Sequence, residues 1–265
     1  MSFPYKTVLM IGCTAGIGLA LAERMIENGI FVIGVGRRKE RLDAFVAEHG
    51  SNKAAASQFD ITNLDGIKDW VAKITRTYPD IDCVFLNSGI QRTLNFTKPE
   101  AIDLARVQQE LTTNYTAYVA LTTYLLPHLQ SLAPRPAALA AVTSGLALVP
   151  LPRCANYCAT KAALHSLLWS LRAQLAGDEA SRHVRVIEIL PPAVQTELHE
   201  LQEDLRARGP TDFGMPLAEF TDEVWDALAK SEEEIPVGTV RDRFARVEDQ
   251  RREMFHHMVK MMGTT

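Results

Sequence analysis

No stretch of this 265-residue chain stays apolar for the length a membrane helix needs. The longest candidate, PAALAAVTSGLALVPLP at 136–152, is broken by Thr, Ser, Gly and Pro, and reads as a buried strand followed by a loop. The start, MSFPYKTVLMIG, lacks the cationic segment and apolar run of a secretory leader and reads as entering a strand at once. Cysteine is scarce. Cys13, Cys83, Cys154 and Cys158 show neither the paired spacing of a zinc site nor the density of a disulfide framework, so no metal and a reducing, cytoplasmic compartment are expected. An excess of either charge is missing too: a formal net charge of -4, with both signs spread along the chain, gives no general attraction to nucleic acid or to an anionic membrane. Repeats, low-complexity tracts and linker-like stretches are also lacking, so one domain over 1–265 is expected. A small molecule, or another copy of the chain, remains as the partner.

What is present is alternation. Short apolar runs at 8–11, 31–35, 55–59, 82–86, 137–143 and 184–190 are separated by longer amphipathic segments such as 17–28 and 64–77. Runs that are apolar on both faces indicate parallel strands covered by helices on each side. Gly29 provides a helix stop just before the second run. The pattern specifies an α/β fold of Rossmann type: a doubly wound parallel sheet, helices on both faces, about seven strands. The seventh would be EEIPVG at 233–238, where Pro236 restricts it to a sheet edge. Between the sixth and seventh strands, 195–228 is charged and interrupted by Gly209, Pro210, Gly214 and Pro216, and is expected to form a substrate lid.

The first strand runs into GCTAGIG, with glycines at Gly12, Gly16 and Gly18. Such a loop lets the backbone approach a pyrophosphate whose charge then faces the amides of the following helix. An NAD-preferring site would present Asp or Glu at the end of the second strand to bind the ribose diol. That acid is absent here: the strand ends in GVGRR, placing Arg37 and Arg38 where a carboxylate would stand. A guanidinium binds a 2′-phosphate through two parallel charge-assisted hydrogen bonds, so NADP(H) is the expected cofactor.

NYCATK at 156–161 sets Tyr157 four residues before Lys161, on one face of a helix. Chance supplies roughly 0.2 such pairs in a chain of this composition, so the pair carries little by itself. Cys158, inside the motif, could be read as a nucleophile, but the segment has a better use. Ser144 ends the fifth strand thirteen residues before Tyr157. In this arrangement the chain resembles the short-chain dehydrogenases/reductases of the small single-domain type, over residues 7 to about 200. GCTAGIG resembles the family's glycine motif, Asp60 in FDIT its adenine-contacting aspartate, and LNSG, with Asn87 and Gly89, its Asn-Ala-Gly motif. Asn114, Ser144, Tyr157 and Lys161 match its catalytic set, and PPAVQT at 191–196 its nicotinamide-bordering segment.

The resemblance implies that Tyr157 passes a proton to a carbonyl oxygen, Ser144 holds that oxygen, and Lys161 lowers the tyrosine pKa and binds the ribose. Asn114 would fix a water linking Lys161 to solvent. It also implies cofactor contacts from Thr14, Ile17, Ile61, Pro191, Val194 and Thr196, and a homodimer or homotetramer built on helices near 105–132 and 154–176. Pro192 departs from the pattern: it stands where the family has glycine, and removes a backbone N–H beside the nicotinamide site. Ser88, Thr160 and Ile11 are smaller departures. Leu146, Leu148, Val149 and Leu151, with Leu198, Leu201, Phe213 and Met215 of the lid, suggest a small and fairly apolar carbonyl or alcohol substrate. An imine reductase, isomerase or cyclase reusing the same nucleotide site is the alternative chemistry, and a nucleotide-sensing scaffold a third reading.

Overall fold

The computed structural model describes residues 3–200, 202 and 214–263. Seven strands form one wholly parallel sheet: β1 (Thr7–Ile11), β2 (Phe31–Gly36), β3 (Ala54–Gln58), β4 (Cys83–Leu86), β5 (Ala137–Val142), β6 (Val184–Leu190) and β7 (Glu234–Pro236). Their spatial order is β3-β2-β1-β4-β5-β6-β7, so the winding reverses between β1 and β4. A crevice opens beyond the carboxyl ends of the strands at such a reversal. Among the described residues the α-helices are α1 (Gly16–Glu27), α2 (Lys39–His49), α3 (Ile67–Thr77), α4 (Leu104–Leu111), α5 (Ala117–Gln130), α6 (Ala155–Gly177), α7 (Glu197–Glu200), α8 (Leu217–Ala229) and α9 (Val240–Met262).

Alternate residues of each strand feed two cores. Val8 and Met10 pack with α1 and α8 through Leu21, Met25, Phe220 and Val224. Leu9 and Ile11 pack with α3, α5 and α6 through Ile74, Leu121, Leu125 and Leu168. Strands buried on both faces cannot show polar alternation, which is why they stand in the sequence as continuous apolar runs. β7 is an edge strand, and there Pro236 costs no ladder bond on its outer side.

Two features differ from expectation. α4 and α5 are joined by a π-helical turn at Thr112–Thr116 that contains Asn114, where the sequence suggested one continuous helix. The lid expected over 195–228 cannot include 215–228. Met215 pairs with Val194 through Met215 N–H to Ala193 O (2.8 Å) and Gln195 N–H to Met215 O (3.0 Å), and α8 is then buried against the sheet. Any lid is therefore confined to the residues before Met215, because Phe220, Val224 and Leu228 are core residues. Leu201 and Phe213 lie outside the described residues.

Candidate active site

A cleft of about 980 Å³ opens over the carboxyl ends of the strands and runs from Arg37 and Asp60 at one end to Ser144, Tyr157 and Lys161. Of the cofactor residues expected from the sequence, Gly12, Thr14, Gly16, Ile17, Arg37, Arg38, Asp60, Ile61, Asn87, Gly89, Pro191, Val194 and Thr196 line it, and so does Pro192. Gly18 lies beneath the lining. A Cβ there would sit 2.2 Å from the Gly12 carbonyl oxygen and 2.4 Å from Asn87 Nδ2. Gly12 itself has φ +93°, and its turn is held by Asn87 Nδ2 donating to Gly12 O at 3.1 Å. α1 starts at an extended Ala15 with no side-chain cap and no acid in its first turn. Its first amides are thereby left to an external anion. This bare cradle fits a dinucleotide pyrophosphate.

At the other end of the phosphate loop the two arginines part company. Arg38 donates from Nε (3.1 Å) and Nη2 (2.8 Å) to Thr14 Oγ1, and from Nη1 to Glu197 (2.8 Å). Arg41 reaches the same Glu197 carboxylate at 2.5 Å. Hydrogen bonds from Arg38 and Arg41 hold the Glu197 carboxyl below the usual range. The Arg37 side chain is 64% exposed, and its nearest acid, Asp60, stands 4.0 Å away. Asp60 accepts from Thr62 N and Oγ1 at 3.0 and 2.8 Å, which shapes the loop after β3. The helical turn that follows is capped by Asn63.

Tyr157 and Lys161 come together on the first turns of α6, both buried. Lys161 Nζ donates to Val142 O at 2.8 Å and lies 5.7 Å from the ring centres of both Tyr157 and Tyr118. Burial pushes Lys161 down to about 8, and the Glu188 carboxylate offsets part of that fall. Burial also drives the Tyr157 phenol well above its ordinary value, against a hydrogen bond with Ser144 that favours the phenolate. Desolvation dominates among these, so the Tyr157 phenol is held protonated. Ser144 Oγ accepts from Leu146 N–H at 3.1 Å, which turns the chain at the end of β5.

Asn114 is fully buried and does not line the cleft. Its Oδ1 accepts from Ile90 N–H (2.9 Å), and its Nδ2 donates to Ile90 O (2.9 Å) and Thr160 Oγ1 (3.1 Å). Its amide is committed to protein partners on both sides, and it braces the loop after β4 against α6. The π-helical turn widens the helix where that side chain leaves it.

A family model described as short chain dehydrogenase matches residues 6–206. The chain belongs to the short-chain dehydrogenase family. It is 34% identical over 268 residues to the uncharacterized oxidoreductase DltE of Bacillus subtilis, covering 100% of this chain and 99% of that one. It is 35% identical over 191 residues to a serine 3-dehydrogenase of Rhizobium radiobacter, with 72% and 73% of the two chains covered. Among solved structures, a short-chain dehydrogenase from Burkholderia cenocepacia in complex with NADP superposes with a TM-score of 0.76. It is 26% identical over 98% of this chain and 99% of that one.

Several residues of this dehydrogenase's cleft escaped the sequence reading. Glu197 follows Thr196 directly, yet nothing local marks an acid that reaches across to α2. Tyr118 anchors the LNSG loop by donating its hydroxyl to Ser88 O, a role hidden inside an aromatic helix. The cleft also carries polar lining: Gln91, Arg92, Arg106, Arg153 and Arg243 line it along with Leu146 and Leu151. Gln91 is tied to Gln202 (2.6 Å) and to Cys154 Sγ (3.4 Å). Leu148 packs instead with Leu190, Val240 and Phe244, and Val149 is outside the lining. Cys158 is buried with its sulfur 3.9 Å from that of Cys154, and their hydrogen bond draws Cys158 down to about 6. Among the described residues no helix is long and apolar enough to cross a membrane.

Proposed function

We propose that the protein is an NADP(H)-dependent oxidoreductase that reduces a small carbonyl compound, or oxidises the corresponding alcohol. The observation carrying this is the convergence of Ser144, Tyr157 and Lys161 on one cleft with an uncapped helix N-terminus and a glycine-lined turn. Tyr157, kept neutral by burial, gives its proton to the carbonyl oxygen, and Ser144 holds that oxygen by a hydrogen bond. When bound, reduced nicotinamide supplies hydride to the carbonyl carbon. Lys161, fixed by Val142 O, supports negative charge on the phenol as the proton leaves and binds the ribose hydroxyls. Asn114 acts by holding the loop after β4 in place, which keeps Gly89 beside Lys161.

NADP(H) is supported by Arg37, whose guanidinium is largely exposed while that of Arg38 is held by Thr14 and Glu197. Reversing the charge with Arg37→Asp is expected to weaken NADP(H) binding about tenfold or more, with NAD(H) binding little changed. Titration of both nucleotides by intrinsic fluorescence checks this, and equal losses would remove Arg37 from that role. The cleft wall supports a substrate with an apolar body against Leu146 and Leu151 and a polar or anionic group toward Arg92, Arg153 and Arg243. Exposed Leu104 and Tyr124 on α4 and α5 support self-association there, in a cytoplasmic enzyme. The functional reading is tested by mixing the protein with NADPH and a panel of neutral ketones, aldehydes and oxo acids while following nicotinamide absorbance. Nucleotide binding without turnover of any of them would overturn it.

A further inference from the structure

Behind the catalytic lysine lies a set of ionisable groups for which proton transfer at Tyr157 has no evident use. His165 stands one helical turn after Lys161 on α6 and is 1% exposed. Its Nδ1 is 2.9 Å from both oxygens of Glu188, which rises from β6 and is wholly buried. Glu188 also accepts from Thr143 Oγ1 at 2.6 Å, the residue before Ser144. On the other side, His165 Nε2 stands 3.3 Å from Glu248 of α9, also wholly buried, in a pair too bent to be a hydrogen bond. Glu248 in turn is paired with Arg251, whose guanidinium lies 5.3 Å from the Trp169 ring centre and reaches solvent.

Opposite charges therefore meet in turn, Glu188 with His165 and Glu248 with both His165 and Arg251, and Lys161 stands one turn before His165 on the same face of α6. Burying this many ionic groups is costly unless each has an opposite neighbour, and a hydrophobic core would have filled the same space. Burial opposes a proton on His165, but its hydrogen bonds to Glu188 and the attraction of both Glu188 and Glu248 outweigh that and hold it at about 9. Burial likewise opposes charge on Glu248, and His165 and Arg251 keep its carboxyl below the usual range.

We propose that Glu188 is a positioning residue that sustains the positive charge of Lys161, and that His165, Thr143 and Glu248 fix it in place, so that the last helix is built into the catalytic set. Two features favour this over simple packing. Lys161 Nζ donates to Val142 O while Glu188 accepts from Thr143, the next residue, so the buried ammonium and the buried carboxylate are anchored side by side at the end of β5, where Glu188 offsets part of the burial of Lys161. The other nearby acids are directed elsewhere. Glu234, opposite Glu188 in the sheet register, serves Trp169, Arg172 and Arg252, while Glu233 serves Arg172 and Arg185.

The proposal rests on the reading of Tyr157 and Lys161 as the proton-handling pair, but its test is independent of turnover. Protein with isotopically labelled lysine side chains is titrated by NMR, and the Lys161 resonance is assigned from a Lys161→Met sample. In the parent protein Lys161 is expected to titrate near 8. Glu188→Gln keeps a hydrogen-bonding side chain and removes the charge, and is expected to lower that midpoint by about one pH unit. His165→Gln removes a cation from the far side of Glu188 and is expected to raise the midpoint by a smaller amount. The alkaline limb of kcat/KM for carbonyl reduction should move in the same directions. An unmoved or raised midpoint in Glu188→Gln, or a rate loss equal at every pH, overturns the proposal. If Glu188→Gln does not fold, His165→Gln decides alone: an upward shift supports it, and no shift or a downward one overturns it.

Discussion

Replacing Tyr157 by Phe is expected to lower carbonyl reduction by about 10²- to 10⁴-fold, the range that a positioned general acid contributes. The substitution removes one hydroxyl and leaves the ring, which packs against Leu146, Cys154 and Cys158. The fold should therefore survive, and nucleotide affinity should change little. The direction of the effect follows from the site's electrostatics. Burial holds the phenol neutral, so at neutral pH almost every molecule carries the proton that reduction consumes. Lys161 loses its charge as the pH rises through about 8, so the reductive rate should be flat below that value and fall above it. Stopped-flow oxidation of NADPH in parent and variant, over a pH series, checks both statements. A variant that keeps more than about a tenth of the parent rate would mean that another group supplies the proton.

The site became legible in the sequence only as an ordered set. Each member has an ordinary explanation, and the structure shows how ordinary chemistry coexists with placement in the cleft. Asp60 does shape a loop, Ser144 does turn the chain at a strand end, and Asn87 does hold a turn. Their positions at the carboxyl ends of successive strands bring them together, and those strands were visible because a sheet buried on both faces leaves unbroken apolar runs. What stayed hidden depends on distance in the chain. Glu197 and Arg38 are 159 residues apart, and His165 lies 23 residues from Glu188. No periodicity encodes such pairs. The far bound of the expected lid was misjudged for a related reason: α8 carries acids on its outer face, and that charge masked a helix whose other face is core.

Gly18→Ala is expected to lower nucleotide affinity at least about tenfold and to destabilise the protein by about 1–3 kcal/mol. In the sequence Gly18 and Gly29 are both glycines at the ends of α1, and alanine at either looks like the same change. The structure separates them. At Gly29 the backbone has φ +78°, and an added Cβ would meet nothing within 4 Å, so the only cost is a left-handed conformation of about 1–2 kcal/mol. At Gly18 the added carbon would fall 2.2 Å from the Gly12 carbonyl oxygen. That oxygen belongs to backbone and cannot rotate away, so the first turn of α1 must separate from the phosphate loop. The shift would also break the Asn87 bond to Gly12 O, which joins that loop to β4, at a further cost of about 1 kcal/mol. The amides that face the pyrophosphate would then no longer converge. Thermal melts with and without NADPH discriminate the two sites: both variants should melt earlier than the parent, but only Gly29→Ala should keep the full stabilisation by nucleotide. Equal nucleotide stabilisation in both would show that the close approach at Gly18 serves packing alone.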